Sequence, residues 1–445
     1  MNSATDQLVD HLYHLSTERL DEATIRQCRL RLLDYFGVAY AGARLLEEPL
    51  GIALAQATPG SASVLGRSER TSPETAAWLN GMSAHAAELD DGERFGMVHP
   101  GAPVISALLA TVQFHPLTME DLLRGLHTGY EAAVTLARLL QPAMKDCGYH
   151  ATGTCGTVGA ALGVAAARQF DREATKAAFS AAITSASGIL KVIRGASELK
   201  PYNAGQAAMS GMMAAQAAAM GLHGPEDVLE GEQGFFQMMT GQADLPDLTS
   251  LEPIGAVHRV YTKPYAACRH CHAPIEAALK IREQIEGQPI ARVRVRTHRY
   301  AVHLHDHVEI EGSHSAKMSV PYSVAVALLT GGGGMGEFST EMVRDSSVLA
   351  LTKKVHTQAE EALTALVPAQ RAAIVEVTTE TGATYSERVD LPKGEPENPV
   401  REDELIQKFI DLANYAGFAD EEAAHQAESL LEAERPTPIF TGQPS

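Results

Sequence analysis

A single lysine stands at the mouth of an apolar helix in residues 194–221. The stretch opens Arg194-Gly-Ala-Ser-Glu-Leu-Lys-Pro-Tyr-Asn203, and residues 204–221 carry no charge and many Ala, Gly and Met. Asn203 is placed to cap the helix, and its small residues allow neighbouring helices to approach closely. Lys200, just before that cap, is partly desolvated there, which moves it towards general-base chemistry at neutral pH.

Four other stretches share this design of a polar loop feeding an apolar helix. Residues 88–101 hold Glu88, Asp90, Arg94 and His99, and residues 147–154 hold Tyr149 and His150. Residues 263–274 hold Arg269, His270 and His272, and Tyr322 lies in residues 319–322. Helix N-termini present free N–H groups and a positive dipole end, so five of them make an anion site when they converge. Cys268-Arg-His-Cys-His272 matches a haem c attachment pattern, but the N-terminus lacks the basic-then-apolar signal such chemistry needs. Zinc on Cys268, Cys271 and a histidine lacks an obvious second ligand pair, although His303, His305 and His307 would share one face of a strand. The expectation is no metal and no cofactor. Gly331 to Gly334 are not a phosphate loop, because no Gly-Lys-Ser/Thr follows, and no serine-hydrolase or dinucleotide fingerprint has a supporting context.

The elements that must position these residues are mostly helices. The face formed by Ile25, Cys28, Leu32, Leu33 and Phe36 predicts a helix capped by Asp21 and stopped at Gly37. Helical spacing continues over 75–89, 103–114, 119–140, 154–169, 172–187 and 204–222, and returns at 401–416 and 420–434. Between them the texture changes. Val293 and Val295 alternate with Arg292, Arg294 and Arg296, a half-buried strand; 302–310, 374–380 and 384–389 read as further strands, with helices at 274–285, 321–329 and 358–366. The fold class is therefore mainly α with two domains: a large all-helical domain from residues 1–255 and 398–445, and a smaller α+β domain at 256–397.

Composition agrees. Aromatic residues make up 5% of the 445, which favours closely packed helices over a β sandwich. A formal charge of −19 repels nucleic acid and anionic membranes, so neither is an expected partner. An odd number of cysteines, five, without a secretion signal reads as reduced thiols in the cytoplasm.

Taken in order, several motifs resemble the MmgE/PrpD family: His85-Ala-Ala-Glu-Leu-Asp-Asp91, His99-Pro-Gly-Ala-Pro-Val104, Tyr149-His150, Lys200 before Gly205-Gln-Ala-Ala208, Lys263-Pro-Tyr265 with His272, Pro321-Tyr322, and Gly394-Glu-Pro-Glu-Asn-Pro399. The resemblance implies a helical and an α+β domain, usually as a homodimer, with the active site in the cleft between them. It also implies action on a small polycarboxylate, with active-site positions on Glu88, His99, His150, Lys200, His272 and Tyr322. Glu88 stands where many members have aspartate, and Gly92 where many have Thr or Ser. With Arg94, Arg269 and His270 added near the site, the layout is most like the iminodisuccinate epimerases of the family. The expected function is thus cofactor-independent inversion of a carbon next to a carboxylate. The alternatives are a methylcitrate-type dehydratase, a cis-aconitate-type decarboxylase and a non-enzymatic helical ligand-binding or scaffold protein. Inversion needs two acid/base groups. Lys200 is the first, and Tyr149 or His150 is preferred to His272 or Tyr322 as the second. Arg94, His99, Lys200, Arg269 and His270 are expected to make the substrate cleft positive, with Glu88 and Asp90 also binding substrate.

Overall fold

The computed structural model describes residues 3–193, 197–249 and 251–436. Arg194, Gly195 and Ala196, the opening of the lysine-bearing stretch, lie outside the described residues. The chain divides into two compact units, one of Met1–Val192, Leu199–Val260 and Arg401–Ser445, the other of Ile193–Glu198 and Tyr261–Val400. Residues 256–260 go with the first unit because the buried Glu131 carboxylate accepts from the Ile254 and Ala256 N–H groups, and Arg31 donates to the Val257 carbonyl.

In the first unit, helices Pro73–Ala86, Gly101–Val112, Met119–Leu140, Ala151–Ala167 and Lys200–Ala219 pack on one another. Every residue of Ala151–Ala167 is buried, which its uncharged, Gly- and Ala-rich composition permits. Gly81 and Gly205 make a close crossing: a Cβ on Gly81 would lie 2.8 Å from the Gly205 Cα, and one on Gly205 would lie 2.4 Å from the Trp78 carbonyl. Only two residues without Cβ allow that approach, and it brings the end of Pro73–Ala86 to the start of Lys200–Ala219.

Several elements differ from the sequence expectation. Asp21 does cap its helix, but the helix runs Glu22–Leu45 straight through Gly37. Gly37 instead makes room for a neighbour, since its Cβ would sit 3.2 Å from the Phe409 Cα. Asn203 is not a cap. The helix starts at Lys200 because Pro201 needs no N–H partner in a first turn, so the Asn203 side chain is released for other work. The first unit also contains a two-stranded antiparallel hairpin, Pro59–Ser63 with Arg70–Thr71, and so is not wholly helical. Helices Ala4–Thr17, Glu47–Gln56, Glu402–Tyr415 and Asp420–Glu432 also belong to this unit.

The second unit is a four-stranded sheet in the order Val355–Ala359, Ile290–Thr297, Ala373–Thr379, Thr384–Val389, parallel at the first pairing and antiparallel at the other two. Val293 and Val295 are fully buried and Arg292 and Arg294 face outward, as the alternation predicts. Helices Arg269–Ile285 and Val320–Thr330 pack against it. The expected strand over 302–310 is absent: Arg299–His305 is a helix with Ala301 and His305 buried one turn apart. The expected helix at 358–366 is only Glu361–Thr364, because 355–359 is taken up by parallel pairing along the edge of Ile290–Thr297. Among the described residues no helix is long and apolar enough to cross a membrane.

Candidate active site

The loop after helix Pro73–Ala86 buries five ionisable groups, Glu88, Asp90, Asp91, Glu93 and Arg94, and ends at His99. Glu88 sits in the left-handed backbone region at φ 58°, a conformation that costs energy for a residue with a Cβ and clusters at functional sites. Its carboxylate Oε1 accepts from Lys200 Nζ in an ion pair that is almost wholly buried. The loop is pinned from several directions. Glu93 and Val98 bridge each other's backbone, Arg138 holds the Glu93 carboxylate at 2.7 Å, and Lys408 of helix Glu402–Tyr415 donates to the Leu89 carbonyl at 3.0 Å and to Asp34 at 2.6 Å.

Around that pair stand three imidazoles. His85, fully buried, places Nδ1 at 2.6 Å from Asp90 Oδ2, so Nδ1–H donates to the carboxylate; Nε2 has no hydrogen-bond partner among the described residues and in the neutral ring carries the lone pair. His99 donates from Nδ1 to the Asp91 carbonyl at 2.6 Å and lies 3.3 Å from the same Asp90 oxygen. His150 occupies the cap position of Ala151–Ala167, and Asn203 Nδ2 donates to its Nδ1 at 3.0 Å. Burial first, then the nearby His85, Lys200 and His99, push His150 well below the ordinary histidine range. It is a neutral ring at pH 7 that presents Nε2–H as a donor. Ring centroids lie 5.0 Å apart for His85 and His99 and 6.0 Å for His85 and His150. A proton acceptor on His85, a donor on His150 and the Lys200–Glu88 pair thus sit in one buried cluster.

Beneath it, Asp91 accepts from Tyr130 Oη at 2.7 Å and Gly101 N at 3.1 Å. Burial, opposed by Arg31 and the Tyr130 hydrogen bond, raises Asp91 from 3.8 to about 6. The native protein therefore holds a proton between pH ~4 and ~6 that the unfolded chain releases, and the stability Asp91 contributes is lost as pH rises through 6. At 1.36 kcal/mol per pH unit the loss is on the order of 3 kcal/mol at neutral pH. His127, lowered to about 4 by burial, acts with the opposite sign over an overlapping window. Asp91→Asn isolates the first contribution. Urea unfolding is expected to find that variant close to the parent near pH 4.5 and more stable by that order at pH 7.5; an equal difference at both pH values would refute the assignment.

The other sequence candidates are placed differently. Tyr149 is half-buried and, among the described residues, shares no hydrogen bond with Lys200, whose partner is Glu88. Arg94 is buried with its guanidinium 5.2 Å from the centre of the Phe95 ring. In the second unit, Arg269 donates to Glu395 Oε1 at 2.8 and 3.1 Å, to the Lys393 and Pro392 carbonyls, and to His272 Nδ1 at 2.9 Å. Its charge is engaged in holding residues 392–395, which does not favour the expected role in binding a substrate carboxylate. His272, fully buried, donates from Nε2 to the Ala267 carbonyl at 3.1 Å, so both ring nitrogens have protein partners. That is the geometry of a positioning residue. Tyr322 donates to the Glu337 carbonyl at 2.8 Å, and burial pushes its phenol up, away from ionisation at neutral pH. His270 stacks near His298 and His305, with centroids at 5.0 and 5.2 Å. Among the described residues, two groups offer ligand atoms within 4.8 Å of one another: His85, Asp90 and His99, and Cys268, His270 and His305.

Sequence reasoning did not assign site roles to His85 or Asp91, and it placed Asn203 as a helix cap. His85 opens the first motif, but only the fold shows its carboxylate partner five residues on. Asn203 was legible as polar and misread as a cap.

The family model for the MmgE/PrpD N-terminal domain matches residues 6–247, and that for the MmgE/PrpD C-terminal domain matches residues 265–433. The chain is 25% identical to cis-aconitate decarboxylase of Mus musculus over 436 residues, covering 92% of this chain and 86% of the relative. It is 24% identical to cis-aconitate decarboxylase of Homo sapiens over 426 residues, with 92% and 87% covered. A third relative, cis-aconitate decarboxylase-like protein oryM of Aspergillus oryzae, is 23% identical over 444 residues, with 93% and 91% covered.

Proposed function

Because the chain belongs to the MmgE/PrpD family, we propose that it is a lyase removing CO₂ from a small unsaturated polycarboxylate of the cis-aconitate type. The observation that carries this reading is the buried Lys200–Glu88 pair beside the neutral His150 and the Asp90-held His85. The names of the relatives favour decarboxylation over the epimerisation that the motifs suggest.

The chemistry needs three things. Substrate carboxylates must be held, and the helix starts at Gly101, Ala151 and Lys200, with His99 and the His150 Nε2–H, supply donors. Breaking the carbon–carbon bond leaves its electron pair on the substrate as CO₂ departs, delocalised into the adjoining unsaturated carboxylate, where oriented donors stabilise it. A proton must then reach carbon; Lys200 is the acid in this reading, with Glu88 fixing its ammonium and solvent restoring the proton. His85 Nε2 is the acceptor for any proton that leaves substrate.

Inversion of iminodisuccinate is the second reading, favoured by the presence of two separate acid/base groups, Lys200 and His85. Incubation with cis-aconitate or iminodisuccinate in D₂O, followed by NMR and CO₂ detection, separates them. Decarboxylation gives CO₂ and an alkene acid carrying one solvent deuterium. Deuterium at the α carbon with no CO₂ would transfer the assignment to epimerisation, and loss of water from a hydroxy acid would transfer it to dehydration. No turnover of any small polycarboxylate would overturn the enzymatic reading.

A further inference from the structure

We propose that Cys268, His270 and His305 form a binding site for one thiophilic divalent cation of the zinc class. The sequence pattern pairs Cys268 with Cys271, but the fold gives them different surroundings. Cys271 is fully buried with Sγ against the Lys317 carbonyl, whereas Cys268, at the cap position of helix Arg269–Ile285, is partly exposed. The partner that comes to Cys268 is His305, the last residue of helix Arg299–His305, with Nε2 at 3.9 Å from Sγ. His270, in the first turn after Cys268, completes a set whose ligand atoms all lie within 4.8 Å of one another.

Tetrahedral coordination, with bonds of about 2.3 Å to sulfur and about 2.0 Å to nitrogen, places sulfur and nitrogen about 3.5 Å apart. For Cys268 and His305 the observed 3.9 Å needs a contraction of only a few tenths of an ångström. His305 is also in the required tautomer, because its Nδ1–H donates to the Met318 carbonyl at 2.8 Å and directs the Nε2 lone pair towards the thiol. A backbone carbonyl behind the imidazole is the usual way a metal-binding histidine is oriented. The helix start beneath Cys268 favours the anionic sulfur that a metal requires. His85, Asp90 and His99 are less suited, since the Nδ1 atoms of both histidines are already donating within the cluster.

On binding, the thiol proton passes to solvent, one metal–sulfur and two metal–nitrogen bonds form, and nothing is oxidised or reduced. Three protein ligands leave one position for water. The ion would clasp the first turn of Arg269–Ile285, which carries Arg269 and His272, to the end of Arg299–His305. Without an ion, the same geometry is a weak Cys268 to His305 hydrogen bond.

Cobalt(II) titration of chelator-stripped full-length protein distinguishes the two. One equivalent is expected to produce tetrahedral visible bands and a near-ultraviolet thiolate-to-cobalt band. Cys268→Ser should abolish the near-ultraviolet band, His305→Gln should weaken binding at least roughly tenfold, and Cys271→Ser should leave both unchanged. Zinc should raise the Tm of the parent and not that of Cys268→Ser; if Cys268→Ser does not fold, His305→Gln carries the comparison. Absence of the thiolate band at saturating cobalt, its persistence in Cys268→Ser, or its loss in a folded Cys271→Ser protein would overturn the proposal.

Discussion

Lys200→Ala is expected to lower kcat by about 10²–10⁴-fold, the range for loss of a positioned acid/base group, and to destabilise the protein by about 3–5 kcal/mol. The second effect arises because Glu88 is 2% exposed and would remain as a buried carboxylate without its ammonium. Glu88→Gln should be destabilising for the converse reason. Combining Glu88→Gln with Lys200→Met removes both charges and should recover much of the stability, since two neutral groups of similar volume avoid the desolvation cost, while activity stays lost. Denaturant unfolding of the parent, Glu88→Gln, Lys200→Met and the double variant gives the coupling energy, and steady-state kinetics on the accepted substrate gives the rate. Near-normal turnover in Lys200→Ala would remove Lys200 from the chemistry. Additive stability effects would mean that the pair is not coupled.

Asp90→Asn is expected to reduce kcat by a comparable 10²–10⁴-fold, again the general acid/base range, with a small change in KM. The carboxylate holds His85 with Nδ1 protonated and the Nε2 lone pair directed into the cluster. An amide in its place can donate to Nδ1, which moves the ring proton to Nε2 and converts an acceptor into a donor without displacing the ring. His85→Gln should match Asp90→Asn, and the double variant should be little worse than either, because both changes remove one function. An undiminished kcat in Asp90→Asn would show that His85 takes no proton from substrate. A rise in KM alone would make Asp90 and His85 binding groups.

What the sequence by itself determined is what local spacing determines. The 3.6-residue pattern located the helices around the site, including Met119–Leu140 to the residue, and the alternation of Val293 and Val295 with arginines located the central strand. Polar loops at helix starts were legible too, because a helix must satisfy its first N–H groups, and they contain Glu88, His99, His150 and Lys200. Tertiary structure decided partnership. Lys200 was read as a base with Tyr149 or His150 as its opposed partner; its ion-pair partner, Glu88, lies 112 residues away in the chain and is brought there by the Gly81–Gly205 helix crossing. Arg269 was read as a substrate anchor, and Glu395 engages it. The 302–310 segment alternates like a strand, but burial of Ala301 and His305 made its first part a helix, whereas 355–359 became a strand because an edge was open to pair with. Propensity and periodicity act over a few residues and are visible in one sequence. Which charge meets which is set by backbone approaches between distant segments, and these depend on all the packed surfaces together.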